Sequence, residues 1–149
     1  VVLVAGGVSS AGTSVGSGQG VDSAELLLLD LQGLEGSEVL CPNLKMTQAR
    51  VAAGITSLED GLLIVGGIAW SDEHNKEEAL NNAEEVVLQD VPSCTVKFEA
   101  TASKMSEGRG EPVLTPLAGG DILVTGGFNW DAQQTLVSLP IGEIYIHRR

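Results

Sequence analysis

Positive charge is scarce in this chain: eight Lys and Arg stand against twenty Asp and Glu, for a formal charge of −12. Nucleic-acid binding needs clustered cations to displace counterions, so this balance argues against it, and against anionic membrane surfaces as well. Long apolar runs are missing too. The aliphatic residues come in short stretches such as LLLL and LLIV, well below the ~20 residues a membrane-crossing helix needs. The chain opens inside an apolar run, VVLVA, with neither a methionine nor a basic leader. No signal peptide is visible in it, and the expectation is a piece of a longer or processed polypeptide.

Only two cysteines are present, Cys41 and Cys94. Zinc sites and disulfide frameworks use spaced sets, so the expectation is two free thiols in a reducing compartment, which favours the cytoplasm. The two histidines, His74 and His147, form no i,i+4 pair and no H-E-x-x-H, and neither accompanies a nucleophilic serine. Zinc catalysis and a Ser-His-Asp triad therefore lack their parts. What remains is 149 residues with 43% hydrophobic content and 19 glycines, a single-domain composition able to form a core.

The diglycine in VVLVAGGVSS resembles a strand entering a phosphate loop. Gly7-VSSA-Gly12 has the P-loop spacing, but Thr13 stands where the phosphate-neutralising lysine belongs. Adjacent glycines also break the G-x-G-x-x-G dinucleotide pattern. No nucleotide or other cofactor is expected.

Repetition explains these glycines better. Gly6-Gly7, Gly66-Gly67 and Gly126-Gly127 are 60 residues apart each time. Glu25, Glu84 and Glu143 follow at spacings of 59, and Met46…Arg50 returns as Met105…Arg109. Several landmarks sharing one offset indicate repeated units. The middle unit reads as four strands, 50–58, 62–67, 84–90 and 95–100, with Asp60-Gly61 as a hairpin turn. LLIV and LLLL are continuous apolar runs, the pattern of strands buried on both faces, as when similar sheets stack against each other.

The ordered set Met46, Arg50, Gly61, Gly66, Gly67, Ala83, Glu84 and Asp90 resembles the kelch repeat, as in kelch and galactose-oxidase-type β-propellers. The resemblance implies an all-β fold of four-stranded antiparallel propeller blades: 1–49 a partial blade, 50–109 a complete one and 110–149 another partial one. It departs from the family in having Val87 or Leu88, and Phe98, where kelch units usually carry Tyr and Trp, and in its longer period. The copper centre of galactose oxidase needs tyrosine, histidine and cysteine positions that this chain does not supply. A propeller closes with about 4–8 blades, so missing blades are expected from further sequence, sister copies or a larger assembly.

Two roles are expected of the recurring residues. Each of Glu25, Glu84 and Glu143 pairs with an arginine such as Arg50 or Arg109, and the glycines serve packing and turns. Between diglycine and third strand lie about fifteen residues, read as long loops on one face, the first of them Gly/Ser-rich. Trp70, Asp72, Glu73 and His74 on the second, and Trp130 and Asp131 on the third, are candidate partner-binding residues. Each tryptophan is expected to cover its own blade. The acidic run 72–78 lacks the EF-hand pattern and reads as a solvated face. Function is thus expected to be a protein-binding scaffold. The alternatives are a carbohydrate-active enzyme of kelch fold, such as a sugar oxidase or a sialic-acid epimerase-like protein with catalytic residues elsewhere, and a structural subunit of a large complex.

Overall fold

The computed structural model describes residues 2–9, 19–28 and 38–147. Among them there is no helix; the chain is all-β. The first unit holds β1 (Val2–Ala5), β2 (Val8–Ser9), β3 (Gln19–Gly20), β4 (Ser23–Leu28) and β5 (Glu38–Lys45). The second holds β6 (Gly54–Ser57), β7 (Gly61–Val65), β8 (Ile68–Ser71), β9 (Lys76–Ala79), β10 (Ala83–Asp90) and β11 (Thr95–Ala100). The third holds β12 (Val113–Pro116), β13 (Ile122–Thr125), β14 (Phe128–Trp130), β15 (Leu136–Ser138) and β16 (Gly142–Tyr145).

Each unit builds one antiparallel sheet. Sheet I has the order β1-β4-β5, sheet II β11-β10-β7-β6, and sheet III β12-β13-β16. The sheets stack with II in the middle, and among the described residues they do not close into a ring. Period-2 alternation in β7 divides its continuous apolar run between two neighbours. Leu63 and Val65 pack with Ile122 and Val124 of sheet III. Ile64 packs with Val86 of its own sheet and with Leu3 and Ala5 of sheet I. A strand covered on both faces has no side on which a polar residue would be tolerated, which is why LLIV does not alternate.

Two expectations are corrected here. The first strand of the middle unit begins at Gly54, not Arg50: the chain from Arg50 to Ala53 instead crosses to the diglycine side, where Val51 bridges Ile68. The segments read as loops are largely hairpins, β2–β3, β8–β9 and β14–β15, each two-stranded. Their strands, two to four residues each, are too short for a hydrophobic pattern to show. The Gly/Ser-rich part of the first, residues 10–18, lies outside the described residues, as does part of the LLLL run.

The thiol expectation is overturned outright. Cys41 on β5 and Cys94, in the turn before β11, form a disulfide with a Cα–Cα distance of 5.3 Å. It ties sheet I to sheet II across 53 residues of sequence. Sequence spacing hides the pair because the two residues meet only through sheet stacking. The argument for a reducing compartment, which rested on free thiols, goes with it.

Candidate functional site

The first two diglycines, Gly6-Gly7 and Gly66-Gly67, are junctions between units. Gly6 and Gly66 have φ of +73° and +62°, the left-handed region that glycine enters without a Cβ penalty. Gly7 N–H donates to the Arg50 carbonyl at 3.2 Å, and Gly67 N–H to the Arg109 carbonyl at 2.9 Å. The backbone of one unit thus docks on the arginine of the next. A Cβ on Gly66 would land on the Arg109 carbonyl oxygen, whereas one on Gly126 meets nothing within 4 Å. Both glycines share φ +62°, so their alanine variants separate backbone strain from collision. Gly126→Ala is expected to cost about 1 kcal/mol, the ordinary left-handed penalty. Gly66→Ala is expected to cost about 3 kcal/mol or more, because the junction must open. Urea unfolding of the two variants measures the difference.

The arginine side chains turn back into their own sheets. Arg50 Nη1 donates to the Gly66 carbonyl at 2.6 Å, while Nη2 donates to Glu84 Oε1 at 2.6 Å and to Asn82 Oδ1 at 3.1 Å. Thr47 N–H occupies the other carboxylate oxygen at 2.7 Å. Arg109 repeats the pattern: the Gly126 carbonyl at 3.0 Å, the Ile141 carbonyl at 3.1 Å and Glu143 at 2.7 Å, with Ser106 N–H on the second oxygen at 2.9 Å. Arg50 and Glu84 are both about 1% exposed, whereas Glu143 is 25% exposed. Burial holds the Arg50 guanidinium below its usual pKa, and the Glu84 carboxylate opposes the shift. Met46 is buried beside the first junction, and Met105 packs against the apolar cluster of the second.

Glu25 differs from its two counterparts. It is exposed on β4. Glu84 and Glu143 each pair with the arginine 34 residues earlier, and the pairing expected of Glu25 is not seen among the described residues.

The hairpins rise from the diglycine side of the stack. On β8–β9, Trp70 pairs across the strands with Glu77 and is 45% exposed, which corrects the expectation that it folds onto its own sheet. Trp130 is half-buried and meets Phe128 edge-to-face at 5.9 Å. The same motif position thus has two fates: unit III supplies an aromatic neighbour two residues away, and unit II supplies only Ile68. Asp72 and Glu73 are exposed at the hairpin tip. His74 Nδ1 lies 2.7 Å from Glu78, and Lys76 lies 3.7 Å from the same carboxylate. Asp131 is spent within its own turn, accepting from Gln133 N–H at 2.9 Å and Thr135 N–H at 2.8 Å. Between the two hairpins is an open cleft bordered by Lys76, Glu77, Glu78, Asn129, Trp130 and Asp131. It presents an aromatic wall, the carboxylates of Glu77 and Glu78, and the Lys76 ammonium.

A second cluster, absent from the sequence reading, sits between sheets II and III. The Tyr145 hydroxyl donates to Glu85, and the largely buried His147 lies 3.4 Å from Glu85 and 3.5 Å from Asp60. Burial, first, and the Glu85 contact, second, push the Tyr145 pKa above the usual tyrosine value. Beside it a cavity of about 580 Å³ runs along the free edge of β16, floored by Val65, Ala83, Val124 and Met105. In sheets I and II the corresponding strand edge is covered by β5 and β11. No signal in a single sequence marks Glu85 or His147, since each acts through a neighbour on another sheet. Among the described residues, no three His, Cys, Asp or Glu side chains converge as a metal-binding group.

No family model matches the chain, and no curated protein matches it. It is similar to the solved structure of YjhT, with a TM-score of 0.56 and 17% sequence identity over 72% of this chain. The chain spans 29% of the length of that structure. At this identity the likeness concerns the fold alone.

Proposed function

We propose that the chain is part of a kelch-type β-propeller that serves as a protein-binding scaffold and engages its partner through the hairpins on the diglycine side. Three features support the propeller part of this reading: stacked antiparallel sheets, a 60-residue repeat, and one arginine–glutamate–diglycine junction built twice from the same motif residues. One observation carries the binding part. Trp70 stands 45% exposed on a hairpin that carries four carboxylates, Asp72, Glu73, Glu77 and Glu78, against one lysine, Lys76, although tryptophan ordinarily takes burial where it can find it. Exposed aromatics of this kind are common anchors in interfaces. The acidity of the surrounding tip and of the neighbouring cleft selects a basic partner surface.

Site-specific photocrosslinking tests this. A crosslinking residue at Trp70 or Asp131 is expected to capture one and the same protein. Charge reversal by Glu73→Lys with Glu77→Lys is expected to abolish that capture. A crosslinker at Ala118, in the β12–β13 turn at the far end of the strands, is expected to capture nothing. Equal capture from Ala118, or no discrete product from the hairpin positions, would reject the reading.

A further inference from the structure

Sheets I and II meet through aliphatic side chains and a disulfide. Sheets II and III share a polar cluster, and the repeat allows a direct comparison. With the offset of 59 that links Glu25, Glu84 and Glu143, Leu26 corresponds to Glu85, Val86 to Tyr145 and Leu88 to His147. Leu26 pairs with Leu3 on the face of sheet I that packs on sheet II. Leu26 and Val86 are buried, and Leu88 packs beside Val86. The stack thus accepts aliphatic residues at all three positions, so Glu85, Tyr145 and His147 are not demanded by the fold.

His147 follows β16 on the inward side, with Tyr145, and its side chain is 8% exposed. Its Nδ1 lies 3.4 Å from Glu85 Oε1 and its Nε2 3.5 Å from Asp60 Oδ1, and neither nitrogen is hydrogen-bonded. The Tyr145 hydroxyl donates to the same Glu85 oxygen. A neutral imidazole carries one N–H, so one nitrogen must turn a lone pair toward a carboxylate, whereas the imidazolium donates from both. The other charges nearby do not reverse this preference. Glu99 stands beside Glu85, and Lys97 beside Val87, on the same face of sheet II. Lys104 borders the adjoining cavity with Glu99, and Glu59 adjoins Asp60 in the turn. From β7 only Leu63 and Val65 face sheet III. On sheet III itself, Glu143 is engaged by Arg109, and Asp121 alternates with inward Ile122 and so stands outward. Asp60, Glu85 and Glu99 against Lys97 and Lys104 leave a negative excess for His147 to balance.

We propose that His147 is a proton-operated clasp: charged, it joins Glu85 and Asp60 and holds sheet III on sheet II; neutral, it lets them go. Histidine changes charge between about pH 5 and 8. The II–III contact therefore tightens toward the acidic end of that range and loosens toward the basic end. Below about pH 4 the carboxylates themselves take up protons, and the clasp loses its acceptors. The I–II contact, with Leu26, Val86 and Leu88 at the same positions, does not respond. Because the cluster lies between sheets II and III, this holds whatever stands against the outward faces of sheets I and III.

Urea unfolding at about pH 5.5 and about pH 8, within the histidine range, tests the clasp. Asp60 is 68% exposed, so water screens part of the contact. On acidification, the unfolding equilibrium constant of the wild type is expected to fall about fivefold relative to that of His147→Gln, the scale of a partly screened charge-assisted contact. His74→Gln, which alters the exposed histidine of the hairpin, is expected to behave as wild type. His147→Arg, charged at both pH values and able to reach two acceptors, is expected to abolish the difference by keeping the contact at the higher pH. A local readout comes from carbon-13-labelled tyrosine. The ring signal of Tyr145, assigned by its loss in Tyr145→Phe, is expected to shift with a midpoint between about pH 5 and 8. The same signal is expected to stay fixed across that range in His147→Gln. Equal pH responses of wild type and His147→Gln, or a Tyr145 signal indifferent to pH in the wild type, would each overturn the proposal. Should His147→Gln fail to fold, the wild-type Tyr145 titration decides alone.

Discussion

Arg50→Leu is expected to lower the unfolding free energy by about 4 kcal/mol, the cost of leaving one member of a buried ion pair alone. Glu84, about 1% exposed, would keep only the Thr47 N–H, and the Gly66 carbonyl would lose its donor. Arg50→Lys is not expected to rescue much. Three acceptors, on Gly66, Asn82 and Glu84, are spread so that a planar fork reaches all of them and a single ammonium cannot. Removing both charges, with Arg50→Leu and Glu84→Leu together, is expected to recover part of the loss, since no buried charge is then left unpaired. Arg109→Leu is expected to cost less than Arg50→Leu, because Glu143 is 25% exposed and water can solvate it. Urea midpoints of these four variants, at constant m-value, order the costs. An Arg50→Leu protein with an unchanged midpoint would show that the junction contributes nothing net.

Reduction of the Cys41–Cys94 bond is expected to be about as costly. The bond closes 53 residues of sequence. The chain-entropy relation for a loop of that size puts the loss at about 4 kcal/mol, taken from the unfolded ensemble. Cys41→Ala is expected to match the reduced wild type, because Cys41 lies in the apolar contact and alanine fills most of its place. Denaturant unfolding with and without reductant makes the comparison, and titration of free thiols in the folded, unreduced protein is expected to find none. A midpoint insensitive to reductant would show that stacking alone joins sheets I and II. A bond of this cost is kept most readily in an oxidising compartment.

Much of the fold was legible because its signals are local. Strand polarity in β7 and β13 follows from consecutive aliphatics ending in diglycine, and the Leu58 N–H to Gly61 carbonyl bond at 2.9 Å closes the expected turn at Asp60-Gly61. The hairpins β8–β9 and β14–β15 were not legible. Their strands are too short for periodicity, and residues at their tips take left-handed φ without glycine, +51° at Asn75 and +60° at Gln134. The site was legible in parts. Arg50 and Glu84 share an offset with Arg109 and Glu143, yet nothing in that offset says whether the side chains are buried. The exposure of Trp70 against the partial burial of Trp130 depends on which aromatic stands nearby.

By itself, the amino-acid sequence determined that similar units recur, that each is made of strands, and that the central one is apolar on both sides. These are properties of residue order, and they survive any arrangement of the units. Only the tertiary structure decided that Cys41 meets Cys94, that Glu25 faces water while Glu84 is sealed in, and that Tyr145, Glu85 and His147 converge. Those outcomes depend on which sheet lies against which, and stacking brings together residues whose separation along the chain carries no trace of their contact.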